Sequence, residues 1–274
     1  MSDADSSSAH IEMLRLHEQI AGSIHELVRV PLPTDIDDDF RRLYDTLAPR
    51  TPLQGSAQRT FQRIDDIRQG LIAATYHQRN VAMLERKILE ACREAYQGGP
   101  PVSKLTTMAF GADPLTCEYH AFLFAMRRAF EYLNNALIVY FDRESNSFRK
   151  LPRALNGAAP AEVAAALSEK VKKALGDFED VLGRPDSRAP RDRVAHRQPE
   201  RPGEINVQFK PDGEVALMMI GGAEQLPLVV PTDDSKSRLG ELLEQRVQRF
   251  ERLAFALLRE LPAFRDAVDA VLRD

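Results

Sequence analysis

The chain has 274 residues, of which 43% are hydrophobic and 28% charged, and its formal net charge is −4. That length allows a sizeable buried core, and the composition excludes an extended disordered protein. The acidic balance excludes a surface that attracts nucleic acid everywhere, so a polyanion partner would need a local basic patch. Positive charge comes from 29 Arg and only 8 Lys. Trp is absent, and Ala, Leu, Arg and Glu recur, which favours helix over sheet. Cys92 and Cys117 have neither a disulfide framework nor zinc-ligand spacing, so a reducing, cytoplasmic setting is expected. MSDADSSSAH lacks the basic and apolar regions of a signal peptide, and no run of 18 apolar residues occurs. No membrane association is therefore expected.

Residues 1–8 read as a polar tail. A first helix is expected from about Ala9 to Arg29, stopped by Pro31 and Pro33. Asp35 can cap a second helix ending near Leu47, and Pro49 to Gly55 reads as a linker. From Ala57 to Tyr96 the apolar residues recur every three or four positions, with one gap at Gln78, which predicts a single long helix. Gly98-Gly99-Pro100-Pro101 ends it. Asp113-Pro114 is a cap followed by a first-turn proline, and the helix it opens should run to about Phe141. Residues 142–159 read as a polar connection. Pro160 opens a helix on Val163, Leu167, Val171, Ala174, Phe178 and Val181, which Gly183 closes.

Beyond a Pro- and Arg-rich stretch at 184–203, residues 204–210 and 214–220 have β-type composition. Pro211-Asp212-Gly213 between them predicts a hairpin. Leu226 to Val230 is a candidate third strand. A last long helix is expected from about Asp234 to Leu261, with Pro262 kinking it or opening a short helix. The fold class is mainly α: an up-and-down helical bundle with a late β-hairpin insertion. Residues 1–50 form a tail and helical extension, and 57–274 the bundle, with the hairpin near 204–220.

No phosphate-binding glycine loop, His-Glu-x-x-His or Gly-x-Ser-x-Gly occurs, which removes the commonest nucleotide, zinc-protease and α/β-hydrolase chemistries. His10, His17 and His25 are about two turns apart, roughly 11 Å, too far for one metal ion. Cys117 and His120, three apart with Asp113 nearby, are better read as packing than as ligands. Asp37-Asp38-Asp39 suits a helix N-terminus. No metal or cofactor is expected.

Residues 184–201 differ. Six arginines face three acids, a local charge of +3, and Pro185, Pro190 and Pro199 stiffen the segment. Within it runs Arg191-Asp192-Arg193-Val194-Ala195-His196, which holds the chain's single Arg-x4-His. On a short helix opened by Pro190, Asp192 and His196 share a face, and the carboxylate would orient the imidazole. An imidazole can take the proton of a ribose 2′-hydroxyl, and a guanidinium can hold the phosphate in the pentacoordinate transition state. Such chemistry needs no metal and leaves a 2′,3′-cyclic phosphate and a 5′-hydroxyl.

The motif resembles that of the HEPN superfamily, helical bundles with an Arg-(Asn/Asp/His)-x3-His signature that Arg191, Asp192 and His196 fit position by position. The resemblance spans roughly residues 57–261. It implies an endoribonuclease, often a toxin or phage-defence effector, in which two motifs line one cleft of a homodimer. It makes Arg191, Asp192 and His196 catalytic, and Arg188, Arg193 and Arg197 candidates for phosphate or RNA binding. In members silenced by a nucleotidyltransferase antitoxin, a Tyr stands two residues after the His. Here Gln198 stands there, so that mode of control is not implied. Two other readings stay open: a non-catalytic helical module bound to a protein partner through a strand edge, and a nucleotide or phosphate sensor using Arg191 and Arg193.

Overall fold

A computed structural model describes Arg15 and residues 39–48, 53–97, 106–110, 113–183, 204–209, 215–220 and 239–273. The described chain is mainly helical. Helices α1 (Asp39–Leu47), α2 (Gly55–Gln62) and α3 (Ile64–Gln97) precede strand β1 (Thr106–Phe110) and helix α4 (Asp113–Tyr140). A 3-10 turn (Phe148–Lys150) leads through α5 (Leu151–Ala154) to α6 (Ala161–Asp177) and α7 (Glu179–Leu182). Strands β2 (Glu204–Phe209) and β3 (Val215–Ile220) and helices α8 (Leu239–Leu258) and α9 (Arg265–Val271) follow. No helix among the described residues is long and apolar enough to cross a membrane. The helix expected at Ala9–Arg29 and the strand expected at Leu226–Val230 lie outside the described residues, apart from Arg15.

Several expected elements are divided differently. The single helix expected over 57–96 is two, α2 and α3. At Arg63 the backbone N–H bonds to Thr60 O at 3.0 Å, a three-residue step that interrupts the α-helical ladder. Asp65 and Asp66 then occupy the first turn of α3, where acids oppose the helix dipole. Likewise, Phe178 (φ −122, ψ 33) separates α6 from α7. The connection at 142–159 is not wholly polar: Phe148, Leu151 and Leu155 are buried and fix the 3-10 turn and α5.

The described sheet is three-stranded, in the order β1-β2-β3. β2 is central and antiparallel to both neighbours, with Met108 and Leu217 on either side of Val207. Among the described residues, its third strand comes from between α3 and α4. The strands at 204–220 are thus not a self-contained late insertion.

Contacts divide the chain into two compact units. The first contains, of the described residues, Arg15 and 77–97, 106–110, 113–120, 204–209, 215–220 and 239–244. Here α8 starts against α3. Glu85, 3% exposed, accepts the Leu239 and Gly240 backbone N–H groups, each at 2.7 Å. A buried carboxylate so placed satisfies two donors that the first turn of a helix leaves open and opposes its dipole. Gln78 Nε2 donates to Gly240 O at 3.0 Å. A Cβ on Gly240 would lie 2.5 Å from Ala82 Cβ, so only glycine permits this approach. The gap at Gln78 in the apolar stripe is this polar clamp.

The second unit contains 39–48, 53–76, 121–183 and 245–273. Its centre is Phe130, whose ring meets those of Phe148, Phe178 and Phe250 at centroid distances of 4.9, 5.0 and 4.8 Å. α1 packs on α9, and Phe40 meets Phe255 at 4.8 Å. Gly70 lets α3 approach α4 closely, since a Cβ there would stand 2.8 Å from Ala129 Cα. Thr60 Oγ1, buried, donates to Ala136 O at 3.1 Å.

Candidate functional site

Arg188, Arg191, Asp192, Arg193, His196 and Arg197 all lie outside the described residues, as does the whole 184–203 segment. Its upstream base is described. Arg246 Nη1 donates to Asp177 O at 2.8 Å, and its guanidinium stands 5.9 Å from the Phe178 ring centroid. This holds the end of α6 and the break into α7. α7 closes with Gly183 N–H donating to Glu179 O at 2.7 Å. Gly183 itself (φ 78, ψ 161) occupies backbone space essentially reserved for glycine. The expected helix stop at Gly183 is met, and the chain leaves for 184–203 from a buried anchor, since Val181 and Leu182 are each 1% exposed.

The other weighed candidates divide in the same way. His10, His17, His25, Asp37 and Asp38 are outside the described residues. Asp39 starts α1 and pairs with Arg42, a local helix-end interaction. Cys117 is exposed on α4. Among the described residues, no three of His, Cys, Asp and Glu gather to hold a metal ion.

One polar cluster was not singled out from sequence. His77 on α3 donates from Nδ1 to Glu118 Oε2 on α4 at 2.8 Å, and Asn80 Nδ2 donates to the same oxygen at 3.0 Å. Glu118 is 2% exposed and Asn80 fully buried, whereas His77 keeps partial access to solvent. A carboxylate on Nδ1 fixes the tautomer and ring orientation of an imidazole. The cluster therefore holds one oriented imidazole at the surface of the first unit. Its sequence signal was the run His77-Gln78-Arg79-Asn80 inside an otherwise apolar stripe: Gln78 and Asn80 are polar where a core helix would be apolar, and both are buried.

A second cluster is cationic. Arg143, Lys150 and Arg153 line a groove of about 900 Å³ in the second unit, with Glu144 as its one acid among the described residues. Reading 142–159 as a mere connection hid it, because the three cations come together only once the 3-10 turn and α5 fold the segment back.

Compared with protein-family models, curated proteins and solved structures, the chain matches none.

Proposed function

We propose that the chain is a metal-independent endoribonuclease of HEPN type, and that one observation carries the reading: Arg191-Asp192-Arg193-Val194-Ala195-His196 in a mainly helical chain. In this reading the helices form an up-and-down bundle elaborated by the strands at 204–220. The protein acts as a cytoplasmic homodimer whose two motifs share one cleft, in the manner of a toxin or phage-defence effector.

His196 takes the proton from a ribose 2′-hydroxyl. The 2′-oxygen then forms its bond to phosphorus as the bond to the 5′-oxygen breaks, and an imidazolium returns a proton to that leaving oxygen. Arg191 holds the phosphate and matches the charge that builds on its oxygens, and Asp192 orients His196. Arg188, Arg193 and Arg197 hold flanking phosphates. The pinned end of α6 and the glycine exit at Gly183 support the reading, because a catalytic loop needs a rigid base.

The test is cleavage of single-stranded RNA by purified protein in EDTA, with the ends of the products mapped. The expected result is 2′,3′-cyclic phosphate and 5′-hydroxyl ends. His196→Ala and Arg191→Ala should each cut the rate by about 100-fold or more at unchanged melting temperature. Undiminished cleavage by folded His196→Ala would end the reading.

A further inference from the structure

The groove lined by Arg143, Lys150 and Arg153 lies in the second unit. Its frame is tied to α4. α4 ends with Arg143 N–H donating to Ile138 O and Asp142 N–H to Val139 O, both at 3.4 Å, with Asp142 in the left-handed region (φ 54). This paired closure sets the direction of the chain at Arg143. Asn134 Nδ2 then donates to Ser145 O at 3.0 Å, and Glu131 Oε2 accepts Phe148 N–H at 3.1 Å. Phe148, fully buried against Phe130, fixes the 3-10 turn that presents Lys150.

The cations are held and available. Arg143 uses one nitrogen, Nη2, to donate to Gly157 O at 3.1 Å, which orients its planar fork. Among the described residues, the side chains of Lys150 and Arg153 make no hydrogen bond or ion pair, and both are exposed. Three cations against Glu144 leave a net local charge of +2, which suits the one to two negative charges of a phosphate ester. Two of the three are arginines, whose forks match phosphate oxygens. The groove exceeds a bare phosphate and is of the size that holds small organic ligands. Asn146 and Asn156 add amides to its wall. Arg153 and Asn156 also border a neighbouring groove of about 610 Å³ whose wall joins Pro152, Ala161 and Ala164 to Ser168 and the ion pair of Lys172 with Glu169. A charged lobe beside one with apolar wall residues fits a phosphate with a ribose and base attached.

We infer that this groove binds a nucleotide phosphate, held by Arg143, Lys150 and Arg153, either as a free nucleotide or as part of an RNA strand. The cost of ordering the site is low, because its backbone is already tied to α4.

The experiment uses the full chain carrying Arg191→Ala and His196→Ala, so that neither cleavage nor the motif contributes. ATP, adenosine and a fluorescein-labelled oligoadenylate are titrated by calorimetry and anisotropy, with inorganic phosphate as competitor. ATP or the oligoadenylate should bind saturably, and adenosine at least tenfold more weakly than ATP. Lys150→Gln with Arg153→Gln should weaken binding at least tenfold at unchanged melting temperature. Should that pair fail to fold, Lys150→Gln alone serves, with a threefold loss or more expected. Dependence on these residues for ATP identifies a free nucleotide, and for the oligoadenylate alone an RNA strand. No saturable binding of either probe, or binding unchanged in the variants, overturns the inference. Cleavage by the parent chain is read separately, so the two proposals fail independently.

Discussion

The two cysteines are chemically distinct. Burial pushes the Cys92 thiol from its ordinary 9.0 up to about 12, and Cys92 is fully enclosed, while Cys117 is exposed on α4. Thiolate is the reactive form, so iodoacetamide at pH 8 should modify Cys117 in the native protein and Cys92 only after unfolding. Mass spectrometry of the labelled peptides checks this, and native labelling of Cys92 would contradict its burial. The same raised pKa makes stability fall at alkaline pH. Folding keeps the thiol protonated, so its contribution is intact below pH 9 and is lost as pH rises towards 12, by up to about 1.4 kcal/mol per pH unit. Urea melts of Cys92→Ala between pH 8.5 and 10.5 should show a shallower decline than the parent. Asp142 is a second residue with a defined consequence. It is the only non-glycine at positive φ among the described residues, and its ion pair with Arg59 at 2.7 Å is exposed on both sides. Such a pair contributes little, whereas a left-handed residue is relieved by glycine. Asp142→Gly should therefore leave stability unchanged or raise it by up to about 1 kcal/mol, read as the midpoint of a urea melt.

At the scale of elements, the start of α8 on α3 is the most demanding junction in the first unit. Gly240→Ala puts a methyl group 2.5 Å from Ala82 Cβ and 2.7 Å from its Cα, so backbone must move. A loss of about 1–3 kcal/mol is expected from the overpacking. Glu85→Ala leaves the Leu239 and Gly240 N–H groups buried and unbonded, at a cost of about 1–3 kcal/mol for each group left unsatisfied. Glu85→Gln keeps one acceptor and should lie between. Chemical-denaturation midpoints of the three variants check this order. These junctions also show where sequence stops being legible. Periodicity located α4, α6 and the body of α3 well, because burial on one face imposes it directly. It ran across Arg63 and Phe178 without marking a break, because those interruptions arise from tertiary contacts: the Thr60 bond to Ala136 and the Phe178 ring on Phe130. β1 went unassigned because Thr106-Thr107-Met108-Ala109-Phe110 is short and takes its partner, β2, from almost 100 residues downstream. The motif at 191–196 is read from residue types at fixed spacing, and it lies outside the described residues. The cationic groove was not, since Arg143, Lys150 and Arg153 have no such spacing and meet only through the turn at Phe148.

For the whole molecule, charge sets the terms on which any nucleic acid binds. The chain carries −4 overall, yet its arginines are gathered: six of 29 fall between Arg184 and Arg201, where the local charge is +3. An acidic body repels a polyanion at long range, so attraction acts only over local basic patches and within a Debye length of about 8 Å at physiological salt. Affinity for RNA should then fall steeply with salt, because each phosphate neutralised releases counterions and adds about −0.7 to the slope of log K against log salt for a single strand. Replacing Arg191, Arg193 and Arg197 together by Ala should flatten that slope by roughly 2, whereas removing the same number of exposed arginines elsewhere, at Arg41, Arg252 and Arg259, should leave it nearly unchanged. Anisotropy titrations of a labelled RNA from 50 to 300 mM salt measure both slopes. Equal flattening in the two triple variants would mean that RNA senses the total charge of the molecule and not the segment at 184–201, and the ribonuclease reading would lose its electrostatic basis.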